Sequence, residues 1–101
     1  MDMTEVPRFR FPKNEEMLGY VTQMLGFGRM YVKCADDRIR LCQVKGSLSR
    51  YLWINEGDIV LLRPWQVEHE KKADILFKYN KNDWEALKAR GFLKDSLLNG
   101  N

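Results

Sequence analysis

The chain has 101 residues, 45% hydrophobic and 31% charged, the proportions of a globular domain with room for one core but not for a second independent one. Seventeen Lys and Arg against 14 Asp and Glu leave a formal +3, too little to specify a polyanionic partner by itself. No apolar stretch nears the roughly 20 residues of a membrane span, and the start lacks the apolar core of a secretory signal, so the expected compartment is the cytoplasm. There Cys34 and Cys42 are expected as reduced, semi-buried thiols. Two cysteines and a lone His69 fall short of the four converging ligands of a zinc site, and neither metal nor cofactor is expected.

The charge distribution is more informative than the total. Residues 17–50 hold Arg29, Lys33, Arg38, Arg40, Lys45 and Arg50 against only Asp36 and Asp37, a local +4 that leaves −1 for the rest. Upstream, residues 1–16 contain Pro7 and Pro12 without helical periodicity, and interleave Arg8, Arg10 and Lys13 with Phe9 and Phe11. They read as a flexible arm, either without a role or able to grip nucleic acid weakly.

From Met17 the pattern becomes short strands separated by turn signals. MLGYVTQMLG (17–26) leads into Gly26-Phe27-Gly28, read as a hairpin turn in which two glycines permit positive φ. RMYVKCA (29–35) alternates Met30, Val32 and Cys34 on an inner face with Arg29, Tyr31 and Lys33 on an outer one. After a tight turn at Asp36-Asp37, RIRLCQV (38–44) is read with Ile39 and Leu41 inward and Arg38 and Arg40 outward. Val44 then falls on the wrong side, which suggests a β-bulge near Cys42 and Gln43.

KGSLSRYLWINEGD (45–58) is not a strand pattern; Ser47 can cap a helical turn over 47–52 before the turn at 55–58. IVLLRPW (59–65), apolar on both faces and ended by Pro64, reads as a central or closing strand. VEHEKKA (67–73) is a charged loop and DILFKY (74–79) a fifth strand. Asn82 with Glu85 makes a capping box for a helix carrying Trp84 and Leu87 and stopping at Gly91, and the tail adds a turn against the body.

The expected architecture is therefore all-β with small helical additions: a five-stranded barrel of the oligonucleotide-binding (OB) type over 17–80, with a C-terminal helix and tail over 81–101 packed on it. An SH3-like barrel is the competitor. No nucleophile elbow or phosphate loop is present and there is one histidine, so the chain reads as a binder and not an enzyme, with no small-molecule substrate. Arg29, Tyr31, Lys33, Arg38 and Arg40 on one ribbon offer cations for phosphates and a ring for base stacking. Trp53 in a polar loop is either a plug for the barrel end or a surface for a nucleotide.

Several blocks in register, Arg40-Leu41-Cys42, Val44-Lys45-Gly46, Trp53-Ile54-Asn55, Asp58-Ile59-Val60, Ala73-Asp74-Ile75 and Lys78-Tyr79, together with Gly26-Phe27-Gly28-Arg29, closely resemble archaeal and eukaryotic translation initiation factor 1A, a relative of bacterial initiation factor 1. The resemblance runs from about Met17 to Leu93. It implies a monomeric OB barrel in the aminoacyl-tRNA site of the small ribosomal subunit, touching decoding-region rRNA and working with other initiation factors in initiator tRNA placement and start-codon selection. Carried over by position, it assigns Arg29, Arg40, Lys45, Gly46, Arg50 and Trp53 to the RNA-facing surface. Where relatives commonly carry a basic run after the glycine, this chain has Ser47, Ser49 and Tyr51 around Arg50, so Arg63 or the arm is expected to compensate. The rival functions are a general single-strand RNA binder and a protein-interaction module docking through the helix around Trp84 and Leu87.

Overall fold

A computed structural model describes residues 9–44 and 53–98. Its strands are β1 (Met17–Gly26), β2 (Arg29–Cys34), β3 (Ile39–Val44), β4 (Ile59–Pro64) and β5 (Lys72–Tyr79), followed by helices α1 (Lys81–Ala89) and α2 (Asp95–Leu98). They form a closed barrel in the order β1-β2-β3-β5-β4, with β4 returning to β1. Every pairing is antiparallel except β3 with β5. This is the OB topology, not the SH3-like one.

Closure needs strands that bend, and register shifts occur in the β1–β2 pair at Val21/Gln23 and Met24/Gly26, and in β4–β5 at Leu61/Leu62. At the first crossing a Cβ on Gly19 would overlap the side chains of Val32 and Leu62, so only glycine lets β2 and β4 approach β1 there.

β4 is buried over four consecutive residues because it serves two cores. Val60 and Leu62 point into the barrel with Val21, Met30, Val32 and Ile75. Ile59 and Leu61 point outward, where Leu18, Phe77, Leu87, Leu93 and Leu97 cover them. The helical tail is thus the roof of the second core. Asn80 caps α1, with the Asp83 carboxylate accepting from the Asn80 N–H at 3.0 Å, two residues before the expected box at Asn82 and Glu85. The helix ends in a Schellman motif, with Gly91 at φ 82° and the Phe92 N–H donating to the Leu87 carbonyl at 2.9 Å. Leu87 is buried and Trp84 packs beside it, so the apolar face offered to a protein partner by the rival reading is already covered by the barrel.

The arm is corrected in part: residues 9–16 lie against the second core instead of standing free. Phe9 meets the Tyr79 ring edge-on with centroids 5.6 Å apart, Phe11 stacks on Phe92 at 5.6 Å, and the Tyr79 hydroxyl donates to the Arg10 carbonyl. Aromatic area, absent from a periodicity count, is what fastens this segment. Residues 1–8, including Arg8, lie outside the described residues.

The parity expected for β3 is inverted. Arg40 and Cys42 face inward with Val44, while Ile39 is 60% exposed. The β2–β3 register is continuous from Arg29↔Gln43 to Lys33↔Ile39, so the bulge expected near Cys42 is absent and Val44 was never out of phase. The physical reason is a salt bridge that replaces an apolar plug. Arg40, 2% exposed, donates through both terminal nitrogens to the two Asp36 oxygens at 3.0 and 2.9 Å, and through Nε to the His69 carbonyl at 2.6 Å. Asp36 reaches back because the β2–β3 loop is a three-residue turn with Asp37 in the left-handed region at φ 71°. The guanidinium in turn holds the Asp36 carboxyl below its usual range.

Both cysteines are buried and unbridged. Cys34 closes the hairpin opposite Arg38, while Cys42 faces Met30. Burial pushes both thiols upward. Thiol titration should therefore find two groups in denaturant and slow reaction in the native protein. Replacing Arg40 by Ala is expected to lower stability by about 1.5–3 kcal/mol in urea unfolding, the scale of charge-assisted hydrogen bonds whose acceptor remains partly solvated.

Candidate nucleic-acid interface

Two of the five cations and rings expected on the β2–β3 ribbon occupy the outer face where expected. Arg29 and Tyr31 are exposed on β2, opposite Gln43 and Leu41, and a hydrogen bond from Thr22 Oγ1 to the Tyr31 carbonyl at 3.2 Å steadies that edge. Lys33 shares their parity but is buried beside the Tyr20 and Ile39 positions, so it is removed from the expected contact set. Arg40 is removed because it lies inside the barrel. Arg38 is exposed, yet it lies past the hairpin at the far end of the ribbon, about 17 Å along the strand from Arg29.

The end carrying Arg29 is tied together by backbone. The Gly26↔Arg29 pair leaves Phe27 and Gly28 as a two-residue turn, and the Val44 N–H donates to the Gly28 carbonyl at 2.9 Å. The end of β3 therefore lies beside the β1–β2 hairpin. Lys45, Gly46 and Arg50, with the helical turn expected at 47–52, lie outside the described residues. When the chain is described again, at Trp53, the following turn is also bound to β1. The Gly57 N–H donates to the Val21 carbonyl at 2.8 Å, and the Met24 N–H to Glu56 Oε2 at 3.2 Å. The hairpin, the end of β3 and the 53–58 turn consequently share one end of the barrel.

Trp53 is 81% exposed and does not plug the barrel; Ile54 beside it is the buried residue. Its carbonyl accepts from Lys78 Nζ at 2.6 Å, and Lys78 also reaches Asp58 at 3.4 Å, so the backbone under the indole is held while the ring faces solvent. Such an arrangement offers a flat apolar ring to solvent, which suits an unstacked base.

Two of the remaining candidate cations, Arg63 and Arg10, are engaged elsewhere. Arg63 on β4 contacts Glu16 at 3.2 Å, and Arg10 holds the same carboxylate in a fork at 2.6 and 2.8 Å. The Lys13 side chain is exposed. The Glu16 side chain is 1% exposed, and the Arg10 hydrogen bond is the main reason its carboxyl falls from 4.5 to about 2. Arg63 and Arg10 thus stabilise the arm's attachment first. Phe27, fully exposed at the hairpin tip, is not among the expected contact residues; an aromatic residue between two glycines is the signal in the sequence that marks it. Among the described residues no group of three or more His, Cys, Asp or Glu is placed to hold a metal ion, and no helix is long and apolar enough to cross a membrane.

A closed five-stranded OB barrel with aromatic and basic groups at one end defines the oligonucleotide-binding class of small β-barrels. Within that class, the family model described as translation initiation factor 1A / IF-1 matches residues 6–100. Translation initiation factor 1A of Methanothermobacter thermautotrophicus is 42% identical over 90 residues, covering 89% of this chain and 91% of that one. Its counterpart from Pyrobaculum aerophilum is 49% identical over 84 residues, covering 83% and 73%. The solution structure of bacterial translation initiation factor 1 from the Wolbachia endosymbiont of Brugia malayi superimposes with a TM-score of 0.52 at 26% identity, over 71% of this chain and 85% of that one. The chain belongs to the translation initiation factor 1A / IF-1 family.

The Glu16 cluster carries a pH dependence of definite sign. Its pKa is depressed in the folded protein, so its contribution is complete above the ordinary carboxylate value near 4.5 and is lost as pH falls toward about 2. Glu16→Gln should lower the melting temperature at neutral pH and flatten its decline across that acid window, as thermal unfolding at a series of pH values will read.

Proposed function

We propose that this chain binds the rRNA of the decoding region, in the aminoacyl-tRNA site of the small ribosomal subunit, through the barrel end that carries Arg29, Tyr31 and Trp53, with Lys45, Gly46 and Arg50 completing the surface. The observation that carries the reading is Trp53: an indole left in solvent on a hydrogen-bonded support, at the same end as the exposed Arg29. Folded rRNA presents phosphates and unstacked bases more than readable grooves, and these two kinds of side chain match them. Arg38, Lys13 and Arg8 add long-range attraction that salt screens, and Arg63 adds less because Glu16 already holds it.

The mechanism needs no catalytic group. Occupying the site excludes a tRNA from it, and a rigid barrel that favours one rRNA conformation shifts the subunit population toward that state. The protein acts in this reading as a cytoplasmic monomer alongside other initiation factors, assisting initiator tRNA placement and start-codon selection. Two substitutions separate its components in co-sedimentation with small subunits. Arg29→Glu should weaken binding and lessen the dependence of log affinity on log salt by about one counterion or more. Trp53→Ala should cost roughly 1–3 kcal/mol at every salt concentration with no fall in melting temperature, because stacking is little screened and the ring supports no core. Unchanged subunit affinity in both variants removes this end of the barrel from the interface.

A further inference from the structure

The β1–β2 turn is built with a residue that its backbone disfavours. Phe27 and Gly28 are the two central positions, with φ of 57° and 73°, which makes the turn type I′. Asn-Gly fills such a turn at the least cost, whereas a bulky side chain at positive φ is an outlier. Among the described residues nothing offsets that cost, since Phe27 is 100% exposed. The backbone beneath it is nevertheless anchored on both sides, by Val44 to Gly28 and by Met24 to Glu56. An apolar ring is thus held out on a rigid tip, in a conformation that costs stability, and strain of this kind persists where a site uses it.

The flanks indicate the partner. Arg and aromatic residues are common in protein interfaces too, but an anchor that enters a protein pocket is ringed by further side chains that exclude water. Phe27 stands between two glycines, with the exposed Arg29 two residues on and Tyr31 beyond it on the same face. A single ring beside a cation suits one base and its phosphate, and apolar side chains wedged against bases are a recurring device of nucleic-acid binders. We propose that Phe27 is a base-stacking finger: its ring packs against an unpaired rRNA base while Arg29 neutralises the flanking phosphate. This rests on the RNA-binding reading above and adds to it a contact at the hairpin tip, separate from Trp53.

The test titrates the parent protein, Phe27→Asn and Phe27→Trp onto purified small ribosomal subunits and onto unstructured oligoadenylate over a salt series, with thermal unfolding of each. Phe27→Asn relieves the turn, so its melting temperature should equal or exceed the parent's. Its subunit affinity should fall about 5- to 150-fold with an unchanged salt slope, since a stacking contact is lost and no cation is removed. Phe27→Trp should restore binding, with its added emission quenched on the subunit. A benzophenone amino acid at position 27 should crosslink to rRNA.

Equal subunit affinity for parent and Phe27→Asn overturns the finger and leaves the ribosomal reading standing. A parent that ignores subunits while Phe27→Asn loses affinity for oligoadenylate fails the ribosomal reading and supports the stacking contact. Binding to neither ligand overturns both. A lower melting temperature for Phe27→Asn, or a crosslink to ribosomal protein alone, also overturns the finger by assigning Phe27 to folding or to a protein contact.

Discussion

Ile59, Val60, Leu61 and Leu62 are buried side by side, and burying both faces of one strand requires that the barrel and the helical tail be built together. β4 hydrogen-bonds to β1 along one edge and to β5 along the other, so it closes the barrel. Its alternate side chains fill the interior and seat the second core under α1 and α2. At about 1.5–3 kcal/mol per fully buried aliphatic side chain, this one strand contributes on the order of 6–12 kcal/mol of gross stabilisation, an upper bound for an extended unfolded reference. The arm and tail fasten to the same outer layer. The exposed surface elsewhere on the barrel is then not needed for stability.

Charge is sorted by the same geometry. Arg40 is inside because its planar fork satisfies two carboxylate oxygens while Nε bonds a carbonyl, a set of contacts the single ammonium of lysine cannot reproduce. It ties the β2–β3 hairpin to the loop before β5. Glu16 performs a similar task on the opposite side of β1, holding Arg10 and Arg63 together near the arm. Of the described basic side chains in the middle of the chain, the fold therefore uses Arg40 for its own closure, covers Lys33, and leaves Arg29 and Arg38 at opposite ends of the ribbon.

On the proposed reading, the consequence for binding is preorganisation. The hairpin tip, the end of β3 and the 53–58 turn are joined by main-chain hydrogen bonds, so Phe27, Arg29 and Trp53 project from supports that do not need to be ordered on contact. A small barrel with such supports gains affinity from few groups. That arrangement suits a member of the translation initiation factor 1A / IF-1 family.

Alternation in β2 as far as Val32, the strand character of 74–79, the two-sided apolar run of β4, the glycine turn at 26–28 and the helix stop at Gly91 were all legible in the sequence, because each depends on neighbours a few residues away. The blocks shared with the family were legible for the same reason, being contiguous. Tertiary structure alone decided the inward parity of Arg40, since an isolated strand with Arg at 38 and 40 and apolar residues at 39 and 41 favours the opposite face. Only the proximity of Asp36 and the His69 carbonyl reverses that preference. It also decided that Lys33 is covered, that residues 9–16 are docked through Phe9 and Phe11, and that Trp53 is left in solvent while Ile54 is taken into the core. Local pattern registers how a residue partitions between water and oil. Which partner waits on the buried side is set by chain segments brought together from tens of residues away, and for a charged or aromatic side chain the partner determines the outcome.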